Sequence, residues 1–336
     1  MPQPTRSDLH VNRPLTNISV AYIQRAQDFV ADKVFPIVPV MKQSDRYFVY
    51  TKDYWFRTGA ARRAPSTESA GGGFHVDNTP NYFCDVWAWH QDVDDQSRAN
   101  ADEPVDLDRD ATLFVTQNLL LRREIQFVTK FIAASIWQGY KISGTATDFQ
   151  PNVNGKGFWD SSTSNPMQDI DFLKQAIKSQ TGFLPNTLVV ADDVFFALRN
   201  NASVLDRIKY TQRGIVSEEL LAALFGVEKF LVASAVLNTA PEGFAGSNPA
   251  GGSFGFLVVN SFLLVYANPA PSILQPSAGY IFSWQGLFGA GAQGNRIKVF
   301  RMEHLESDRI EGEMSFDMHQ VGLDLGVYGK NVLSVA

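Results

Sequence analysis

Apolar and polar positions change period several times along this chain, and each change marks an element. Between Ala111 and about Gln138 the spacing is helical, with Phe114, Leu121, Ile125, Val128, Ile132 and Ile136 recurring at steps of seven, four, three, four and four. Asp108 or Asp110 stands where a helix wants its N-cap, and Gly139 where it would stop. Such a helix is about 40 Å long, enough to act as a spine. From Asp169 the pattern becomes α/β: a helix to Gln180 stopped by Gly182, a strand Thr187 to Ala191, a short helix from Asp192, a helix Ser217 to Phe225, a strand Phe230 to Val236 and a buried strand Phe256 to Tyr266. The segments 296–302 and 314–321 alternate as strands, and a turn through Gly312 would pair them.

The N-terminal third has another texture. Pro2, Pro4 and Pro14 break any helix before about residue 17, which predicts an extended arm with no core of its own. Residues 34–40 are held extended by Pro36 and Pro39. Residues 47–51 then read as a strand, and 81–89 as its return, with the flexible Gly71, Gly72 and Gly73 between them. In the return strand Tyr82, Cys84, Val86 and Ala88 share one face and Phe83, Trp87 and Trp89 the other. A long projecting hairpin that is apolar on both faces needs a partner to cover it.

Charge sharpens that expectation. From Asp92 to Asp110 eight acids (Asp92, Asp94, Asp95, Asp102, Glu103, Asp106, Asp108 and Asp110) stand against Arg98 and Arg109, a local balance of -6 that equals the net charge of the whole chain. Between Arg46 and Arg63 the sign reverses, with Arg46, Lys52, Arg57, Arg62 and Arg63 against Asp53 alone. Arginines among aromatic residues suit a protein interface core better than a nucleic-acid clamp when a matching acidic segment lies in the same chain. The expected inter-subunit contact places Arg57, Arg62 and Arg63 over Asp92, Asp94, Asp95, Asp102 and Glu103 of a neighbouring copy.

Composition excludes several classes. With 45% hydrophobic and 19% charged residues the 336-residue chain is globular and large enough for two domains. Cys84 is its only cysteine, which excludes an intrachain disulfide and a thiolate zinc site. The opening is too polar for a signal peptide, and the most apolar run, 254–267, is too short to span a bilayer. A soluble protein with no membrane partner, made in a reducing cytoplasm, is expected.

Catalytic signatures are weak by context. Ser253 sits in a Gly-x-Ser-x-Gly match, but a loop precedes it and a strand follows, whereas a nucleophile elbow joins a strand to a helix. Residues 289–294 match a dinucleotide fingerprint, yet strand-forming residues follow. The five histidines show no ligand spacing, although His304 and His319 could meet across the last hairpin. The acidic run lacks calcium-loop spacing and suits the start of a helix. No cofactor, metal or catalytic residue is expected.

Residues 31–36 (ADKVFP) with Pro39 and Val40, 42–47 (KQSDRY), 185–189 (PNTLV) and 220–227 (LLAALFGV), in this order, resemble the tailed-bacteriophage major capsid protein family, the Hong Kong 97 capsid fold. The resemblance spans essentially the whole chain. It implies an α+β protein with an N-arm (1–46), an extended E-loop hairpin (47–90), a peripheral domain with the spine helix (91–164), an α/β axial domain (165–294), and a peripheral β-hairpin with the C-terminus (295–336). It implies self-assembly into homo-hexamers and homo-pentamers of an icosahedral shell, the virion capsid, around packaged double-stranded DNA contacted non-specifically. Separate scaffolding, portal and decoration proteins are the partners it implies; some members begin with a scaffolding segment that is cleaved off, which this sequence is not expected to carry. Some relatives cross-link through an E-loop lysine, but Lys52 lies at the loop's base and that chemistry is not carried over. The alternatives are an encapsulin-type nanocompartment shell, which shares the fold, and a hydrolase using Ser253.

Overall fold

The structure, a computed structural model, describes residues 24–50, 52–101, 105–209, 216–240, 253–271, 275–288 and 295–334. Two sheets organise them. Thr187–Ala191 and Ser261–Val265 are buried at every position, and strands apolar on both sides must be covered on both. They form the middle of a four-stranded sheet, with Lys229–Ala233 parallel to the first and Gly326–Lys330 antiparallel to the second. Pro166–Thr181, Asp192–Asn200, Ala202–Ile208 and Glu218–Phe225 pack their buried faces into the same core. Local signals set these helices. Asn165 caps the first and Gly182, at φ 79°, ends it; Ser217 caps the last and Gly226, at φ 57°, ends it.

The second sheet is built on one 14-residue strand, Ser307–Gln320. Asp85–Asp94, Asn295–Met302 and Gly279–Trp284 all pair antiparallel to it, and Ile37–Val40 joins Gly279–Trp284 in parallel. The spine helix Leu107–Phe131 lies across this sheet. A Cβ at Gly312 would stand 2.6 Å from Val115 Cγ1 and 2.7 Å from Leu119 Cδ1, so the glycine lets the helix settle onto the strand.

Several expectations are corrected. Gly312 lies inside a strand, and the turn of the last hairpin is at Glu303–Leu305 with Glu306 left-handed at φ 46°. Pairing of Met302 with Ser307 consequently puts His304 at the turn and His319 far down the strand, so the two do not meet. The spine helix begins at Leu107 on an Asp106 cap and ends at Phe131, seven residues before Gln138. Its end is tertiary: the Trp137 indole N–H donates to the Phe131 carbonyl at 2.8 Å, and Ser135, at φ 64°, donates its N–H to Asp148. Its buried residues are Ala111, Val115, Glu124, Phe127 and Phe131, while Phe114 is half exposed, so the core-facing stripe is rotated from the expected one.

Chain segments also cross between the two sheets. Asp85–Asp94 belongs to the spine-helix sheet, which leaves residues 44–83 as the projection. Gly279–Trp284 belongs to that sheet as well, and the late strand Gly326–Lys330 to the four-stranded one. Of the expected arm, residues 1–23 lie outside the described residues. The rest is docked: Val30, Ala31, Val34 and Phe35 are buried in the main core, with Phe35 against Phe131 at 4.5 Å.

Candidate functional site

The projection is rooted by specific contacts. Ser44–Arg46 pairs with Asn81–Phe83, and Val49–Tyr50 with Val76–Asp77. Below them Tyr82 stacks on Phe282 at 4.6 Å, and the N–H of Phe83 donates to the Asp317 carboxylate at 2.8 Å. His319 Nε2 lies 2.7 Å from the same carboxylate. These hydrogen bonds hold the Asp317 carboxyl below the usual carboxylate range against the opposing effect of burial, which is the largest single influence on it. Cys84 is fully buried beneath this root, and burial pushes its thiol up to about 12. Lys52 forms an ion pair with Asp324 at the foot of the loop.

Beyond the root the chain has little regular structure. Lys52–Trp55 makes one helical turn, and residues 56–75 run as an irregular excursion with a turn at Ser66, φ 61°. Tyr50, Trp55 and Phe74 cluster with ring centroids 5.5 to 6.4 Å apart. Tyr54, Trp55, Phe56 and Phe74 are nevertheless each at least 50% exposed, an apolar surface that a solvated hairpin does not keep without a partner. Arg57, Arg62 and Arg63 are exposed on the same excursion. Arg63 Nε donates to the Thr67 carbonyl at 2.5 Å, and among the described residues none of the three arginines has an ion pair.

The acidic segment is different. Asp92 receives two hydrogen bonds from Arg309, at 2.7 and 2.8 Å, and Asp95 two from Arg301, at 2.7 and 2.5 Å. Each guanidinium holds its carboxyl below the ordinary range. Asp94 caps the short helix Asp95–Asn100 through the Ser97 N–H at 2.8 Å. Arg98 bridges Asp108 and Asp308 at 2.7 and 2.8 Å. Asp102 and Glu103 lie outside the described residues.

Sequence reasoning missed Arg301 and Arg309, which the register of the last hairpin with the Asp85–Asp94 strand brings to Asp95 and Asp92, 206 and 217 residues away along the chain. The region remains acidic. Asp92, Asp94, Asp95, Asp106, Asp108, Asp110 and Asp308 outnumber Arg98, Arg109, Arg301 and Arg309. Asp92 and Asp95, however, each have a cationic partner within their own chain.

Among the described residues the motifs form no catalytic arrangement. Ser253 is exposed and leads into the strand Phe254–Phe256, with no helix to form an elbow. Gly251, Gly252 and residues 289–294 lie outside the described residues. Among the described residues no group of three or more His, Cys, Asp or Glu could hold a metal ion, and no helix is long and apolar enough to cross a membrane.

The chain combines a helix-laid sheet, a second α/β core, a rooted aromatic hairpin and a docked N-terminal segment, and its match to solved phage capsid structures over nearly the whole of both chains shows the Hong Kong 97-like capsid fold. No family model matches the sequence. The chain is 22% identical over 321 residues to a major capsid protein of Burkholderia phage BcepMu, covering 94% of each. Among solved structures it resembles a phage-related protein from Bordetella bronchiseptica (TM-score 0.65, 20% identity, 93% of this chain and 95% of that one). It resembles the capsid of cyanophage P-SCSP1u (TM-score 0.62, 9% identity, 96% and 93%). An encapsulin complex of Synechococcus elongatus is also similar (TM-score 0.52, 11% identity, 96% and 95%).

Proposed function

We propose that this chain is a structural shell subunit, the major capsid protein of a tailed bacteriophage, and not an enzyme. The observation that carries the reading is its likeness, over nearly the whole of both chains, to a protein named as a major capsid protein. The exposed aromatic excursion at residues 54–74 supports it, because such a surface is stable once a neighbouring copy covers it. The subunit associates with itself; in the finer reading it forms hexamers and pentamers of an icosahedral virion shell around double-stranded DNA. Scaffolding, portal and decoration proteins act with it, and it is made in the host cytoplasm.

In this reading residues 44–83 are the loop that reaches a neighbour, the spine-helix sheet is the peripheral body and the four-stranded sheet the axial body. Arg57, Arg62 and Arg63 lie over the residual acidic surface around Asp92, Asp94, Asp95, Asp102 and Glu103 of the next subunit. Electron microscopy of the protein co-expressed with its neighbouring genes tests the whole: closed shells or capsomer rings are expected, and a monomer under every condition would overturn it. The similarity to an encapsulin complex favours one second reading, a nanocompartment shell, and nuclease-protected DNA rather than protein inside the particles decides against it.

A further inference from the structure

One ionisable side chain in the core has no part in the shell contacts above. Glu124 projects from the middle of the spine helix and is 1% exposed. Its carboxylate accepts the backbone N–H of Val30 at 3.1 Å and that of Ala31 at 2.9 Å, two backbone donors at the start of the turn Ala31–Val34. That turn seats Val30, Ala31, Val34 and Phe35 in the core, so a single side chain clasps the N-terminal segment to the spine. A buried carboxylate with two neutral donors and no cation in contact is expensive to keep ionised.

The charges around it leave that cost uncompensated. Arg123, its helix neighbour, turns to Asp32 of the docked turn at 3.1 Å, so the attraction of one is opposed by the repulsion of the other. Lys33 of the turn donates to the carbonyls of Ala26 and Gln27, and Lys229, from the four-stranded sheet, to the carbonyl of Lys33. Asp28, just before the turn, accepts from the Arg25 N–H. The strand Ser307–Gln320 turns Met314, Phe316 and Met318 into the core, while Asp317 and His319, of opposite parity, serve the hairpin root.

We propose that Glu124 is a proton-controlled clasp: neutral, it holds residues 30–34 shut on the spine helix, and ionised, it favours release of that segment to water. Burial raises the Glu124 carboxyl to about 7, which puts the change within the range of ordinary buffers. The direction follows from linkage. The closed form binds a proton that the open form, with an ordinary carboxyl, sheds, so closure weakens as the pH rises from about 4.5 to 7 and levels off above it. The shell reading is not required, because the measurement is made on the unassembled chain.

The test is amide hydrogen exchange of the full-length protein between pH 6 and pH 8, read on peptides covering residues 24–35 and corrected for intrinsic exchange rates. The opening equilibrium is expected to rise about tenfold over that range, while peptides from Thr187–Ala191 stay protected throughout. Glu124→Gln is expected to remove the dependence. Asp32→Asn removes a like charge and is expected to move the midpoint to lower pH. Flat exchange in the wild type, the same slope in Glu124→Gln, or an unmoved midpoint in Asp32→Asn would overturn the clasp; the last remains decisive should Glu124→Gln not fold.

Discussion

Gly329 lies where a Cβ would stand 2.1 to 2.6 Å from three carbons of the Phe262 ring, and that ring is itself stacked on Trp159 at 4.9 Å. Both aromatic side chains are fully buried, so neither can swing aside. Gly329→Ala is therefore expected to destabilise the protein by about 1–3 kcal/mol, the usual cost of overpacking, seen in urea unfolding as a lower midpoint with unchanged slope. A change within a few tenths of a kcal/mol would contradict this packing. Cys84 makes a second residue-scale case. With its thiol buried and pushed up to about 12, it is expected to resist a disulfide-exchange reagent at pH 8 until the chain unfolds, and rapid labelling of folded protein would refute that burial.

At the scale of elements, the Asp85–Asp94 strand and the last hairpin are joined by charge as well as by their ladder. Asp92 and Arg309 are register partners and form a two-pronged pair. Because the pair is partly solvated, its coupling in a double-mutant cycle with Asp92→Asn and Arg309→Gln is expected to be about 0.5–1 kcal/mol. Its pH dependence has a definite sign. The folded-state Asp92 carboxyl is held low, so its contribution is complete above the ordinary carboxylate range and disappears as pH falls through the lowered value. Asp92→Asn is expected to flatten that acid limb in thermal melts between pH 2 and pH 5, and an unchanged limb would remove the pair from the account.

For the molecule as a whole, the projecting loop and the body make separable contributions. The excursion at 56–75 is exposed and hangs from a root held by Tyr82, Phe282 and Asp317. Replacing residues 57–73 with a short flexible linker is expected to leave the subunit folded, with little change in melting temperature, and to abolish assembly in sedimentation. Assembly of the shortened protein would show that the loop is not the contact. Arg62→Glu with Arg63→Glu is expected to weaken assembly, and reversing acids to arginine is expected to restore part of it. Asp92 and Asp95 are poor choices for that rescue, since reversing either breaks an in-chain pair.

What the sequence determined alone was local. Asn165, Gly182, Ser217 and Gly226 act within a few residues of the helix ends they set, and Thr187 to Ala191 is written as a nearly continuous apolar run, so these elements of the four-stranded sheet and its helices were readable in order. The helix Ala202–Ile208 was not, and the expected buried strand Phe256 to Tyr266 is an exposed strand Phe254–Phe256 followed by a separate buried one, Ser261–Val265. The projecting loop was legible for the same reason: aromatic residues, arginines and glycines cannot build a core by themselves. Tertiary structure decided the rest, because it depends on residues far apart. The spine helix stops at Phe131 only where Trp137 and Asp148 meet its end, and Gly312 is a strand residue because the helix lies on it. The acidic run acquires Arg301 and Arg309 only through strand register, and Glu124 becomes a buried carboxylate only when the N-terminal segment folds over it. Charge counted along a chain carries no record of the opposite charges that folding will place beside it.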